Sequence, residues 1–421
     1  MPERGDTWHS RALKEFLSGV IDYRGKTPPG SSSGIPVLTA AHVKYGAVVH
    51  CGSKFVSNET YGRWTTRGFI RPGDLLITTE APVAQVARVP DDQTYLITRR
   101  VIALQVDPSK GDEGFLLYYM LNPRVRERLE ALGHGTTVPR LYKEDILDFE
   151  VRAPDVGRQR RIASILSAYD DLIENNTRRI AILEEMAKAI YREWFVNFRF
   201  PGHENVEMVE SELGLIPEGW EVLPFSSIAD ILSGGTPKTK VGEYWGGPIP
   251  FFSPKDAPSS IFVTETERTV TQAGVDACSS DLFPPWTVFI TARGTVGRLA
   301  MPHAPMAMNQ SCYALTGRAG VSQPFVFFAI GQCIGTLQQR AHGAVFDTII
   351  KDTFDHLLVP KPPLELTSKF ARMVTPMLEL NLRLTLSNQV LRQTRDLLLP
   401  KLISGEIDVN EFSDELEEAI A

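Results

Sequence analysis

Lysines, arginines, threonines and histidines recur through this sequence among glycines and prolines, and their spacing limits the chemistry they can do. Gly25-Lys26-Thr27 has the ending of a phosphate-binding loop. However, five residues separate Gly19 from Gly25 where that motif has four, and Pro28-Pro29 follows where a phosphate-holding helix should begin. Phe283-Pro284-Pro285-Trp286 is the nearest string to the Asn/Asp-Pro-Pro-aromatic motif that holds a flipped base for methyl transfer to an amino group. It lacks the polar first residue that would bond the base, and reads as a turn before a strand at Thr287–Thr291. His134 and His342 each precede glycine in matching loops, Gly133-His134-Gly135 and Ala341-His342-Gly343. Neither has a carboxylate or cysteine at ligand spacing, so no metal site is expected. No catalytic set emerges.

What remains are polar and basic side chains on loops; were the chain to bind DNA, such side chains would reach groove edges or phosphates. In the first half of the chain the candidate DNA-contact residues are Lys26, Thr27, His134, Thr136, Thr137 and Arg140. In the second half they are Thr236, Lys238, Lys240, Lys255, Arg293 and His342. A solvated loop gives the same residue types, so the list is an upper bound. Arg99-Arg100 sits in an apolar strand pattern and reads equally well as a surface pair.

The formal charge of −7 argues against a DNA binder until its distribution is considered. Residues 201–219 carry five acids and no lysine or arginine, and residues 405–421 carry seven. Removing those twelve charges leaves the remainder at +5, still weak for a chain that must hold DNA alone. Partners are therefore expected to supply part of the phosphate-binding surface. The 421 residues suffice for two or more domains. No apolar run reaches the length of a membrane span, and Met1–Gly5 lacks a signal-peptide pattern. The four cysteines show no CxxC spacing and fit reduced thiols in a cytoplasmic protein.

An internal repeat of about 210 residues positions the candidates. Ile35-Pro36-Val37-Leu38 returns as Ile249-Pro250-Phe251-Phe252, and the pattern of Arg71–Thr78 returns at Pro284–Thr291. Leu141-Tyr142-Lys143-Glu144-Asp145-Ile146 returns as Ile349-Ile350-Lys351-Asp352-Thr353-Phe354. Each copy reads as a mixed α+β domain of short strands between Gly/Pro turns, with helices expected at 115–132 and 324–341. The expected division is 1–157 first domain, 158–200 long helix, 201–219 acidic linker, 220–365 second domain, 366–404 long helix and 405–421 acidic tail.

The first long helix shows a heptad seam at Ile162, Leu166, Tyr169, Ile173, Asn176, Ile180, Leu183, Ala187, Ile190 and Trp194. The second gives Phe370, Met373, Met377, Leu380, Leu384, Ser387, Leu391, Thr394 and Leu398, with Pro376 expected to kink or break it. Either helix could simply pack on its own domain. Paired antiparallel as a coiled coil they would separate two similar domains by roughly 50 Å at ~1.5 Å per residue, more than the ~34–36 Å of one DNA turn. Asn176 would then be a register-fixing polar seam residue.

Several phrases agree with one family. They are Lys26-Thr27-Pro28 and its counterpart Gly235-Thr236-Pro237-Lys238, Ile216-Pro217-Glu218-Gly219-Trp220, and Ile290-Thr291-Ala292-Arg293-Gly294-Thr295-Val296-Gly297. Ala163–Ser167 with Asp170–Asn176 opens the first helix, and Leu399–Ile407 closes the second. In this order, over nearly the whole chain, the sequence resembles the specificity subunit of Type I restriction-modification enzymes. Thr79-Glu80-Ala81-Pro82 departs from the Ala-Arg-Gly-Thr of the second copy.

The resemblance implies a non-catalytic subunit. Each domain would read one half of a split double-stranded DNA target, and the helices would dock two modification subunits. S-adenosylmethionine would act on those subunits, and ATP and magnesium on restriction subunits. Two readings from other classes stay open on the residues alone: a DNA-processing enzyme such as a nuclease, and a coiled-coil assembly scaffold.

Overall fold

The computed structural model describes residues 8–23, 27–49, 54–90, 93–342 and 348–409, apart from the side chains of 340–342. Its internal contacts divide the chain into two units, one formed by Met1–Leu172 with Leu391–Ala421, the other by Ile173–Val390. The boundaries fall inside the two long helices, which run Val156–Phe195 and Leu364–Ser404. This differs from the division expected from sequence, where each helix was a separate segment following its own domain.

In the first unit, strand Val101–Val106 lies between Leu17–Ile21 and Leu75–Thr79, and Val83–Arg88 completes a four-stranded antiparallel sheet. The run Leu75-Leu76-Ile77-Thr78-Thr79 is buried throughout, because this sheet is covered on both faces. Leu75 and Ile77 join one core with Phe115, Leu116 and Ile162, while Leu76 joins another with Val37, Tyr95 and Ile97. The two-residue side-chain period assigns alternate residues to alternate cores. Strand His9–Ala12 pairs with Glu150–Ala153, so the start of the domain is tied to the strand that leads into the first long helix. Leu399, Leu402 and Ile403 of the second long helix complete the core that holds Ile162 and Leu166 of the first.

The second unit repeats this plan. Strand Val288–Thr291 lies between Cys312–Gly317 and Leu299–Pro302 in a five-stranded sheet. Val288 and Ile290 face one core and Phe289 the other. Glu221–Pro224 pairs with Leu358–Lys361 immediately before the second long helix. Tyr191 and Phe195 of the first helix pack edge-on or tilted against Phe325 and against Phe370 of the second helix, at centroid distances of 5.0–5.9 Å.

Several expectations are corrected. Each helix expected at 115–132 and 324–341 is two: Glu113–Leu121 with Pro123–Ala131, and Gln323–Gln332 with Ile334–His342. In the first unit the break has a local cause. Asn122 leaves helical geometry and accepts a hydrogen bond from the Arg124 amide at 3.0 Å, with Pro123 occupying the first turn. The segment 201–219 is not a bare linker, because Met208–Ser211 and Gly214–Pro217 form a hairpin and Ile216 enters the second unit's core. The second helix continues through Pro376. Burial of Phe370, Val374 and Leu378 in the same core outweighs the hydrogen bond that proline removes.

The second helix's seam also sits one residue further along than expected at three points. Met373 is 45% exposed and Val374 is buried; Leu380 is half-buried beside the fully buried Asn381; Ser387 is exposed and Asn388 is buried. Phe370 and Leu384 are buried as seam residues, and Met377, Leu391 and Leu398 are half-buried. On the first helix Ile162, Leu166, Ile173 and Asn176 are buried, while Tyr169, Ile180, Leu183 and Ile190 are half-buried. Cys278, Cys312 and Cys333 are free thiols. Burial raises the Cys333 thiol to about 11, leaving it protonated and unreactive near neutrality. Cys51 lies outside the described residues. No helix among the described residues is long and apolar enough to cross a membrane.

Candidate nucleic-acid interface

Each domain carries a turn built on the same frame. In the first, the buried Thr78 hydroxyl donates to the Pro82 carbonyl at 2.6 Å and accepts from the Gln85 amide at 2.9 Å. In the second, the buried Thr291 hydroxyl donates to the Thr295 carbonyl and accepts from the Arg298 amide at 3.0 Å. A second brace matches as well. The Leu141 amide donates to the Thr79 carbonyl at 2.9 Å, and the Ile349 amide to the Ala292 carbonyl at 3.0 Å. The next residue, Glu80 in one copy and Arg293 in the other, forms a bridge to Arg140 and Thr348 respectively. Gly294 takes φ +80° without cost, whereas Ala81 holds φ +50° at the corresponding place.

The side chains on this shared frame have opposite charge. Glu80 accepts from Arg100 at 3.1 Å, so the negative turn is paired. Arg293 is exposed. Equal backbone support with inverted charge makes two turns that can meet different ligand edges.

Around the first turn, His134 and Arg140 exchange backbone hydrogen bonds of 2.9 Å each, closing a loop whose tip holds the exposed Thr136 and Thr137. The His134 imidazole lies 3.0 Å from Asp145 and packs on the Tyr142 ring at 4.8 Å. A cavity of about 170 Å³ beside the loop is lined by Asp22, Arg99, Arg140, Tyr142, Lys143 and Glu144, among others. Arg99 and Arg100 thus part company, one lining this cavity and the other pairing with Glu80. Sequence reasoning missed Lys143 and the half-exposed Tyr142. Their signal in the sequence is the repeated Leu141–Ile146 segment, whose pattern does not by itself reveal the cavity they line. Thr27 is exposed, and Lys26 lies outside the described residues.

In the second domain, Gly234 and Gly235 let the chain pass close to its neighbours. A Cβ on Gly234 would lie 2.2 Å from the Asn309 carbonyl oxygen, and one on Gly235 2.4 Å from the Ser279 hydroxyl. The loop that follows presents Thr236, whose hydroxyl bonds Gln310, and Lys238, whose carbonyl accepts from the Trp245 indole at 3.3 Å. The Arg268 guanidinium lies 3.4 Å over the ring of the half-buried Trp245, whose indole also packs edge-on against Phe251 at 5.3 Å. Lys240 is exposed, and Lys255 is largely exposed with Glu267 3.8 Å away, a contact of little energetic weight. His342 ends the helix Ile334–His342, and its side chain lies outside the described residues. The structure therefore groups His134 with Arg140 and Thr236 with Lys238, while Lys255 turns to Glu267. No group of three or more potential metal ligands occurs among the described residues.

Comparison with known proteins agrees with the repeat. A specificity subunit of the Type I restriction enzyme HindI, from Haemophilus influenzae, is 23% identical over 404 residues, covering 80% of this chain and 87% of the relative. The MjaIX specificity subunit of Methanocaldococcus jannaschii is 25% identical over 414 residues, 97% of this chain and 91% of the relative. The crystal structure of a Type I restriction-modification S subunit from M. genitalium shares the fold, with a TM-score of 0.64 at 16% identity, covering 96% of this chain and 97% of that one. The family model for the Type I restriction modification DNA specificity domain matches residues 7–185 and again 217–390, once for each copy of the repeat. By those two matches the chain belongs to the Type I restriction modification DNA specificity domain family.

Proposed function

We propose that this chain is the DNA-reading subunit of a cytoplasmic Type I restriction-modification complex, with each recognition domain reading one half of a bipartite double-stranded target. The observation that carries the reading is the pair of matching turns, alike in their backbone braces and opposite in charge at Glu80 and Arg293. Two readers on one plan with different side chains at equivalent places are what a split, asymmetric target requires. Thr27, His134, Thr136, Thr137, Arg140, Thr236, Lys238, Lys240, Lys255 and Arg293 are the candidate contacts, with Lys26 and His342 beside them in sequence.

The two long helices pair as an antiparallel coiled coil in this reading. Its support is a set of cross-helix hydrogen bonds whose partners descend along one helix as they ascend along the other. Asp170 meets Arg395 in the first unit, and Asn176 meets Asn388 and Glu184 meets Asn381 in the second. The chain performs no chemistry itself. Two modification subunits dock on it with S-adenosylmethionine, and restriction subunits bring ATP and magnesium. The weak positive charge left outside the acidic segments fits a reader whose hold on phosphates is completed by those subunits.

Exchange of residues 10–150 for those of another family member, in the chain assembled with its modification subunit, tests the reading. Footprinting or methylation mapping should show one half of the recognised sequence replaced and the other half kept. Specificity that does not move, or that moves in both halves, overturns it.

A further inference from the structure

Two acidic side chains on the first long helix, Asp170 and Glu184, make the same unusual kind of contact. In the first unit, Asp170 accepts from the Tyr118 hydroxyl at 2.6 Å and from the Arg395 guanidinium. Tyr118 belongs to the recognition domain, on helix Glu113–Leu121, and Arg395 to the second long helix. In the second unit, Glu184 accepts from the Ile261 backbone amide at 3.0 Å and from the Asn381 side-chain amide at 3.0 Å. Ile261 immediately precedes the recognition-domain strand Phe262–Val263, and Asn381 lies on the second long helix. Each carboxylate therefore joins three elements: a recognition domain and both long helices.

The two contacts share a spacing. Asp170 and Glu184 are fourteen residues apart, two heptads, and so are their partners Asn381 and Arg395. A carboxylate has acceptor sites for several donors at once, and charge-assisted hydrogen bonds are short and directional. Apolar packing is non-directional and tolerates sliding. Both carboxylates are only partly buried, and taking charge partly out of water is a poor source of net stability, its best-attested benefit being a defined geometry. Gln389 adds a neighbouring tie in the second unit, donating to the Thr264 hydroxyl at 2.6 Å.

We propose that Asp170 and Glu184 are positioning residues, each holding one recognition domain to both helices and so fixing the gap allowed between the two half-sites. This rests on the proposed bipartite reading. The two carboxylates do not touch DNA; they act through the pose of the domains.

The test uses the chain assembled with its modification subunits and a DNA library in which the spacer between half-sites varies in length. Methylation of each library member is read by sequencing. For the wild type, methylation should fall sharply one base pair either side of the preferred spacer. In Asp170→Ala and in Glu184→Ala the preference for that spacer should weaken by roughly tenfold, the scale of one hydrogen-bonded contact, with both half-site sequences unchanged. Tyr118→Phe removes only the hydroxyl that reaches Asp170, and should broaden spacer tolerance in the same sense with the assembled complex intact. A wild type with no bipartite preference refutes the function itself. A wild type with that preference, alongside Tyr118→Phe and Glu184→Ala variants of undiminished spacer selectivity or of uniform loss at every spacer, overturns the positioning role.

Discussion

The side-chain amide of Asn176 donates to the Oδ1 of Asn388 at 3.0 Å, and both residues are buried between the two long helices of the second unit. Asn388 spends its own donors on the Ile173 carbonyl and the Thr177 hydroxyl, each at 3.3 Å. The pair is satisfied only at this alignment of the helices. Asn176→Leu alone leaves the Asn388 oxygen buried without its donor and should cost about 1–3 kcal/mol. Asn176→Leu with Asn388→Leu removes both members and should be near neutral or stabilising, since apolar groups of similar volume then fill the site. Urea unfolding of the two single variants and the double variant gives the coupling. Strict additivity would mean the two amides do not act as a pair.

Asn176 was legible in the sequence as a polar residue within an apolar seam, and its partner was not. The second helix offers apolar residues beside nearly every seam position. Apolar spacing therefore runs through Met373 and Leu380, its three-four step carries on to Ser387, and the asparagines at 381 and 388 are skipped. With Val374, Asn381 and Asn388 in place the seam keeps its three-four steps and meets the first helix. The repeat, the strands and the long helices were readable because periodicity and turn residues are local signals. The assignment of each helix half to a different unit was not, because it depends on which distant core Leu399, Leu402 and Phe370 enter. Of the candidate site, loop chemistry alone proposes Arg140, Thr236 and Arg293, whereas Lys143 and Tyr142 become candidates only through the folded cavity they line.

Arg293 and Glu80 occupy equivalent turns, so changing one charge should affect one half-site. Arg293→Ala should weaken binding of the assembled complex to its target and lower the salt dependence by about one phosphate contact if the guanidinium meets the backbone. If it meets a base, the loss should be about 1–3 kcal/mol and should relax specificity at one position of the second half-site alone. Binding measured across a salt series with single-base target variants separates the two outcomes. Unchanged affinity and unchanged specificity would remove Arg293 from the interface.

Glu184 gives the second unit a pH-dependent component of stability whose sign is fixed. Burial raises its carboxyl above the ordinary glutamate value, and the neighbouring Glu185 pushes the same way. The hydrogen bonds from Asn381 and Ile261, and the Lys188 ammonium, pull it back only in part. The folded chain therefore binds this proton more tightly than the unfolded chain does. Stability attributable to Glu184 falls as pH rises from the ordinary glutamate range through the raised folded value, and the penalty is complete above it. Glu184→Gln removes the titration while keeping an oxygen that can accept from both Ile261 and Asn381. The variant should thus gain on the wild type as pH rises through that window, and the gain should level off above it. Glu184→Ala also ends the titration but strands a buried amide and should cost about 1–3 kcal/mol. Unfolding curves for the three proteins at acidic and neutral pH decide the matter. A Gln variant that instead loses ground with rising pH would mean that the charge of Glu184 is favoured by the fold, and that its contacts to Ile261 and Asn381 outweigh its burial.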